Sequence, residues 1–167
     1  GGEIVSSPAV DGGLVYLGSN DGNMYSLDIE TGQEAWRFET EDRVQSSPLV
    51  VDGLVYFGSF DRYLYALDAA SGVVAWQYDA EARVLSSPAV FEEFVIFGSG
   101  DTQLYALDLK TGRTAWKFQT LGEIFSSPSV AGGTVYVGSN DGNFYAVNAR
   151  TGLEDWRFKT PGQGISS

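Results

Sequence analysis

Ala66-Leu67-Asp68-Ala69-Ala70-Ser71-Gly72-Val73-Val74-Ala75-Trp76 decides the fold, because the chain writes it four times. The other copies run Ser26 to Trp36, Ala106 to Trp116 and Ala146 to Trp156. Trp36, Trp76, Trp116 and Trp156 therefore stand forty residues apart, with no insertion or deletion between copies. A fixed period of about forty residues marks a repeat architecture, in which one small unit cannot bury its apolar face alone and stacks on its neighbours.

Working outward from the tryptophan, the unit reads as four short strands. Ile4 to Val10 is a short apolar run carrying Pro8, followed by the turn Asp11-Gly12-Gly13. Leu14-Val15-Tyr16-Leu17-Gly18 is β-branched and aromatic, hence strand-like. Asn20-Asp21-Gly22-Asn23 is a hairpin signature. Met24 to Asp28 alternates large and small, Thr31-Gly32 turns the chain, and Glu34 to Thr40 puts Trp36 and Phe38 on one face. No segment has the apolar spacing of a helix. The second strand is apolar at nearly every position, which calls for cover on both faces. Four-stranded antiparallel sheets stacked face to face are the blades of a β-propeller. The expected fold is thus all-β, with blades at about 1–40, 41–80, 81–120 and 121–160 of a single domain spanning 1–167, and with 161–167 starting a further repeat where Ser166-Ser167 matches Ser6-Ser7.

The four copies, in register and each with Tyr-x-Leu/Val before Asp or Asn, resemble the tryptophan-docking repeat of pyrroloquinoline-quinone-type propellers over essentially the whole chain. That family includes quinoprotein alcohol dehydrogenases, the propeller lipoprotein of outer-membrane β-barrel assembly, and sensor domains of membrane kinases. The resemblance implies that Trp36, Trp76, Trp116 and Trp156, with Gly32, Gly72, Gly112 and Gly152, hold blade to blade. It also favours an extracytoplasmic or periplasmic location. Family members usually close with seven or eight blades, so two chains are expected to pair into an eight-bladed ring, a homodimer. A half of a longer natural or engineered polypeptide is the alternative.

Composition narrows the chemistry. The 167 residues carry 22 acidic and 10 basic side chains, a net charge of -12, which disfavours nucleic acid and anionic membranes as partners. Residues 1–40 hold seven acidic side chains against Arg37 alone, a net of -6, whereas residues 121–160 hold four against three, a net of -1. There is no cysteine or histidine, which removes disulfides, thiolate and Ser-His chemistry and the usual zinc sites. No apolar run reaches the roughly 18 residues that cross a bilayer, so no membrane insertion is expected. The chain starts at Gly1 without a signal peptide, which suggests a processed or engineered start.

The dehydrogenases implied by the resemblance use a calcium-bound quinone and often a vicinal cysteine pair. Neither that pair nor an acidic cluster breaking the repeat is present, so no cofactor is expected and the enzyme reading stays the alternative. Asp21, Asp61, Asp101 and Asp141 could ligate calcium, but turn chemistry is the stronger reading. Asp28, Asp68 and Asp108 could do acid–base work as paired carboxylates, but they recur once per blade before Thr/Ser-Gly, so turn stabilisation is the stronger reading. Ser6-Ser7-Pro8 and its copies are expected on the innermost strand, lining a channel.

Function is sought where copies disagree. The link into each unit reads Glu3, Arg43, Arg83, Glu123 at one position and Val5, Gln45, Leu85, Phe125 at another. The hairpin becomes Phe60-Asp61-Arg62-Tyr63 in the second copy. Aromatic and arginine side chains are common interface anchors. The expected function is a non-catalytic scaffold whose protein or peptide partner binds near Arg43, Gln45, Phe60, Arg62, Tyr63, Arg83, Leu85 and Phe125.

Overall fold

The computed structural model describes residues 2–161, and the 162–167 part of the expected fifth repeat lies outside the described residues. Sixteen strands form four separate sheets, each a meander in chain order. Sheet 1 holds β1 (Ala9–Asp11), β2 (Leu14–Gly18), β3 (Asn23–Asp28) and β4 (Glu34–Glu39). Sheet 2 holds β5 (Leu49–Val51), β6 (Leu54–Gly58), β7 (Tyr63–Asp68) and β8 (Val74–Asp79). Sheet 3 holds β9 (Ala89–Phe91), β10 (Phe94–Gly98), β11 (Gln103–Asp108) and β12 (Thr114–Gln119). Sheet 4 holds β13 (Ser129–Ala131), β14 (Thr134–Gly138), β15 (Asn143–Asn148) and β16 (Glu154–Lys159). Every pairing is antiparallel, and no helix occurs among the described residues.

The register repeats with the sequence. Ser26 faces Trp36 and Leu27 faces Glu34, so the outer strand bulges by one residue there. The same bulge falls between Ala66 and Leu67, Ala106 and Leu107, and Ala146 and Val147. It sits beside the turn that Asp28 organises. Asp28 Oδ1 accepts from the Thr31 amide at 2.8 Å and its hydroxyl at 2.7 Å, and Gly32 turns back with φ +68°.

The chain divides into two compact units, Gly1–Arg83 and Val84–Ser167. In the first, sheet 1 packs on sheet 2. Tyr16 and Met24 with the partly buried Trp36 and Phe38 meet Val44, Val55, Phe57, Tyr65, Leu67 and Ala69. The Trp36 ring lies over Gly72 so closely that a Cβ there would come within 2.7 Å of it. Its indole N–H donates to Ala69 O at 3.0 Å, and the Tyr16 hydroxyl donates to the same oxygen at 3.1 Å. In the second unit, sheet 3 packs on sheet 4 by the same rule. Trp116 is only 8% exposed, donates to Ala149 O at 3.0 Å and covers Gly152, where a Cβ would come within 2.8 Å. Burying an indole removes about 150–250 Å² from water, worth several kcal/mol as an upper estimate at about 25 cal/mol per Å².

The expected cover of the second strand is complete in β6 and β10, where Val55 to Gly58 and Val95 to Gly98 are buried. In β2 and β14, Leu17 and Tyr136 are only half-buried.

One sequence expectation is corrected. The Ser-Ser-Pro segments precede the innermost strands, which begin at Ala9, Leu49, Ala89 and Ser129. The first serine does not offer its hydroxyl to a channel. Ser6 Oγ donates to Gly18 O at 3.0 Å and accepts from Gly18 N at 2.9 Å. Ser126 does the same with Gly138. A side chain thus replaces the backbone ladder one step before β1, where Pro8 has no N–H to give. The second serines link neighbouring sheets: Ser7 N donates to Ser47 Oγ at 2.9 Å, and Ser87 N to Ser127 Oγ at 3.0 Å.

Candidate functional site

The variable hairpins between second and third strands are built on one aspartate each. Asp21 Oδ1 accepts from Asn23 N and its Oδ2 from the Tyr25 hydroxyl at 2.9 Å. Asp61 repeats this with Tyr63 N and the Tyr65 hydroxyl, Asp101 with Gln103 N and Tyr105, and Asp141 with Asn143 N and Tyr145. The tyrosine partner was not anticipated from sequence, although an Asp four residues before a Tyr recurs in every copy. Two of these aspartates also accept from the incoming link, Asp61 from Glu41 N at 3.1 Å and Asp141 from Leu121 N at 3.0 Å.

These bonds set the charge state. Burial pushes the Asp21 carboxyl up, but hydrogen bonds from Asn23, Tyr25 and Ser19 outweigh it and hold it at about 2. Asp141 is lowered in the same way, by Tyr145, Leu121 and Asn143 against burial. Burial, reinforced by the neighbouring Asp141, pushes Tyr145 up to about 12. Hydrogen bonds to Thr31, Ser71 and Thr111 lower Asp28, Asp68 and Asp108. Asp21, Asp28, Asp68, Asp108 and Asp141 are therefore fixed anions serving their own turns, and none of these five is tuned toward neutral pH as a general acid or base must be.

The link and the hairpin lie against each other. Asn20 N donates to Glu3 O, Phe60 N to Arg43 O and Asn140 N to Glu123 O, each at 2.9 Å. In the first unit this brings Arg43, Phe60, Arg62 and Tyr63 to one end of sheet 2, while Gln45 reaches back to Asn20 Oδ1 at 2.9 Å. Arg43, Arg62 and Arg83 are exposed, whereas Phe60, Tyr63 and Gln45 are half-buried. Tyr63 packs against the core of its unit, its ring tilted against that of Tyr65 at 5.8 Å. Arg62 lies over the Tyr63 ring at 5.8 Å and pairs with Asp79 at 3.3 Å. Leu85 and Phe125 belong to the second unit, both half-buried.

Backbone conformation separates the hairpins of sheets 2 and 3 from those of sheets 1 and 4. Gly22 and Gly142 adopt φ of +85° and +84° at its third position, and Arg62 and Thr102 hold φ of +78° and +76° there. The left-handed region costs a residue with a side chain roughly 1–2 kcal/mol. Arg62 is thus held in a strained conformation that glycine fills at no cost in sheets 1 and 4.

Of the tryptophan–glycine pairs expected from sequence, two are in contact within a unit, Trp36 with Gly72 and Trp116 with Gly152. Trp76 lies tilted against Tyr56 of its own sheet at 5.8 Å, and Gly112 turns with φ +67°. Gly32 has no atom within 4 Å of an added Cβ, and Trp156 is 47% exposed.

Four-stranded meander sheets stacked through an outer-strand tryptophan are the blades of a β-propeller. The chain belongs to the family of the outer membrane protein assembly factor BamB, whose model matches residues 1–90 and again 79–167. A BamB of Marinobacter adhaerens (strain DSM 23420 / HP15) is 47% identical over 38 residues, which are 23% of this chain and 10% of that protein. The crystal structure of BamB from Moraxella catarrhalis superposes with a TM-score of 0.84 at 24% identity, over 95% of this chain and 50% of that one. Quinohemoprotein alcohol dehydrogenase from Comamonas testosteroni gives a TM-score of 0.86 at 20% identity, over 97% of this chain and 36% of that one. At these identities the structural likeness shows the fold. The chain spans half the length of the Moraxella protein and a tenth of the Marinobacter one.

Proposed function

We propose that the chain is a non-catalytic propeller scaffold that holds a protein or peptide partner at the hairpin–link end of its blades. In the first unit the contacts are Arg43, Gln45, Phe60, Arg62, Tyr63 and Arg83; Leu85 and Phe125 stand at the place of Gln45 in the links of the second unit, which is considered by itself. The observation that carries this reading is Arg62. At a position where two copies use glycine, the second copy keeps a strained arginine beside Phe60 and Tyr63. The description of the family as an assembly factor favours a protein partner, and its outer-membrane setting favours an extracytoplasmic location. The tryptophan–glycine contacts make the scaffold rigid enough to present this end.

A dehydrogenase reading has the Comamonas likeness in its favour. The donor set does not fit a calcium–quinone site. The turn aspartates are distributed one per sheet and accept hydrogen bonds from their own tyrosines and amides. Among the described residues no three acidic side chains gather as metal ligands.

The test is an amide-resolved NMR titration of the isotopically labelled chain with peptides from outer-membrane protein strands. Shifts are expected at residues 43–45 and 60–63, and Phe60→Ala with Arg62→Gly should weaken binding about tenfold or more, as loss of interface anchors does. Unchanged affinity in that double variant contradicts the proposal. Saturable binding of pyrroloquinoline quinone with calcium would favour the enzyme instead.

A further inference from the structure

Each sheet ends on an outer strand, β4, β8, β12 or β16, with no further strand paired beyond it among the described residues. An open sheet edge presents unpaired N–H and C=O groups, and proteins blunt such edges with charge. In sheet 1 the charge is Arg37, which pairs with Glu34 at 2.8 Å and lies over the Tyr25 ring at 5.6 Å. Sheet 4 repeats this clamp: Arg157 pairs with Glu154 at 2.7 Å and lies over Tyr145 at 5.3 Å. Sheet 3 keeps a cation, with Lys117 over Tyr105 at 4.8 Å.

Sheet 2 lacks both halves of the clamp. Val74 stands in the place of Glu34 and Glu154, and Gln77 in the place of Arg37, Lys117 and Arg157. Val74, Ala75 and Gln77 are exposed, and Val73 just before them is 63% exposed. The register shows which backbone groups this edge offers. Ala80 N donates to Arg62 O at 3.0 Å, while Tyr63 O accepts from Ser59 N on the other side of β7. Successive residues of an antiparallel strand point their backbone groups in opposite directions. Trp76 and Tyr78 therefore face β7, and Gln77 and Asp79 turn their N–H and C=O groups to the open side. An extended chain lying alongside satisfies such a row, and a helix does not.

Charge sets the chemistry of that chain. Exposed Asp79 and Glu81 stand at one end of the edge, and Val73 and Val74 at the other. A strand running antiparallel to β8 meets Asp79 with its first residues and Val74 with its last. A cation early and apolar residues late are the cross-strand match, and a net charge of -12 draws in a basic segment.

We propose that the outer edge of sheet 2 takes an added strand, an extended segment of a protein partner that pairs antiparallel with β8, its basic residue at Asp79 and its apolar residues at Val74. This rests on the reading of the chain as a protein-binding scaffold and supplies a mode of binding. The two surfaces are continuous, because Asp79 faces Tyr63 in register and pairs with Arg62 at 3.3 Å.

The probe is a capped seven-residue peptide of alternating threonine and valine that begins with lysine, added to the intact, isotopically labelled chain. At saturation, amide exchange at Gln77 and Asp79 should slow about tenfold or more. N-methylation of the alternate peptide amides that face β8 should weaken binding about tenfold or more, and methylation of the other set should leave it unchanged. Val74→Glu with Gln77→Arg rebuilds the clamp of sheets 1 and 4, so circular dichroism should stay the same while affinity falls about tenfold. Equal binding by both methylated peptides overturns strand addition, as does full affinity in the rebuilt clamp. Shifts confined to residues 43–45 and 60–63, with exchange at Gln77 and Asp79 unchanged, also overturn it and leave the scaffold reading standing. Slowed exchange at Gln77 and Asp79 that survives Phe60→Ala with Arg62→Gly upholds strand addition and counts against the hairpin contacts instead.

Discussion

Trp116 and Trp156 occupy the same place in consecutive copies, yet one is 8% exposed and the other 47%. Both end the same eleven-residue pattern, and both sit on the outer strand of a four-stranded sheet. The neighbour differs. Trp116 has Gly152 and Ala149 O of the next sheet, and among the described residues the ring contacts of Trp156 are Tyr136 and Phe144 of its own sheet. Burial of the indole is thus conferred by the adjoining sheet rather than by the residues around it in sequence. A repeat of this kind stabilises its predecessor.

This difference can be broken by truncation. Trp116→Ala should cost about 3–5 kcal/mol in urea unfolding, as large aromatic deletions in cores do. Trp156→Ala, at an indole that is 47% exposed, should cost under about 1 kcal/mol. Equal losses would mean that the adjoining sheet does not set the burial. The glycine side sharpens the same point. Gly72→Ala should cost about 2–4 kcal/mol, from the left-handed backbone and from the clash with Trp36. Gly32→Ala carries only the backbone part, about 1–2 kcal/mol, because nothing lies within 4 Å. The excess of the first over the second measures the packing of the indole.

Acid and base act on the hairpins of both units alike. Asp21, Asp28, Asp68, Asp108 and Asp141 all have lowered folded-state values, so their contribution is present above the ordinary carboxylate range. It should be lost as pH falls from about 4 through the folded Asp21 value of about 2. Tyr16, Tyr25, Tyr65 and Tyr145 are raised, so their contribution is present below the unfolded tyrosine value and is lost as pH rises beyond about 10. Thermal melts should be level between these limits, and a steep loss between pH 5 and 9 would contradict the hydrogen-bond assignments. A small gain rather than a loss is expected at Ser26, whose buried hydroxyl has no partner among the described residues and which stands where the other copies have Ala66, Ala106 and Ala146. Ser26→Ala should stabilise the chain by about 1 kcal/mol.

The period, the four-strand unit and its turns were readable from sequence because each rests on local chemistry: glycine at positive φ, aspartate capping its own turn, alternation along a strand. Strand limits at Asn23–Asp28 and Glu34–Glu39 fall within a residue of the expected runs. The role of Ser6 was not readable, since its partner Gly18 is twelve residues away and nothing in Ser-Ser-Pro announces a bond to backbone. Nor was the half-burial of Phe60 and Tyr63, which depends on how the link folds back over the hairpin. The unequal cover of the four tryptophans was hidden for the deepest reason: identical local sequence carries no record of what stacks against it.

Hydrogen exchange of the indole N–H groups tests the central claim most directly. Trp36 and Trp116, bonded to Ala69 O and Ala149 O at 3.0 Å, should exchange only on unfolding, at every protein concentration. Trp156, 47% exposed, should exchange much faster than either. Rapid, concentration-independent exchange at Trp36 and Trp116 would contradict sheets held together by wedged indoles.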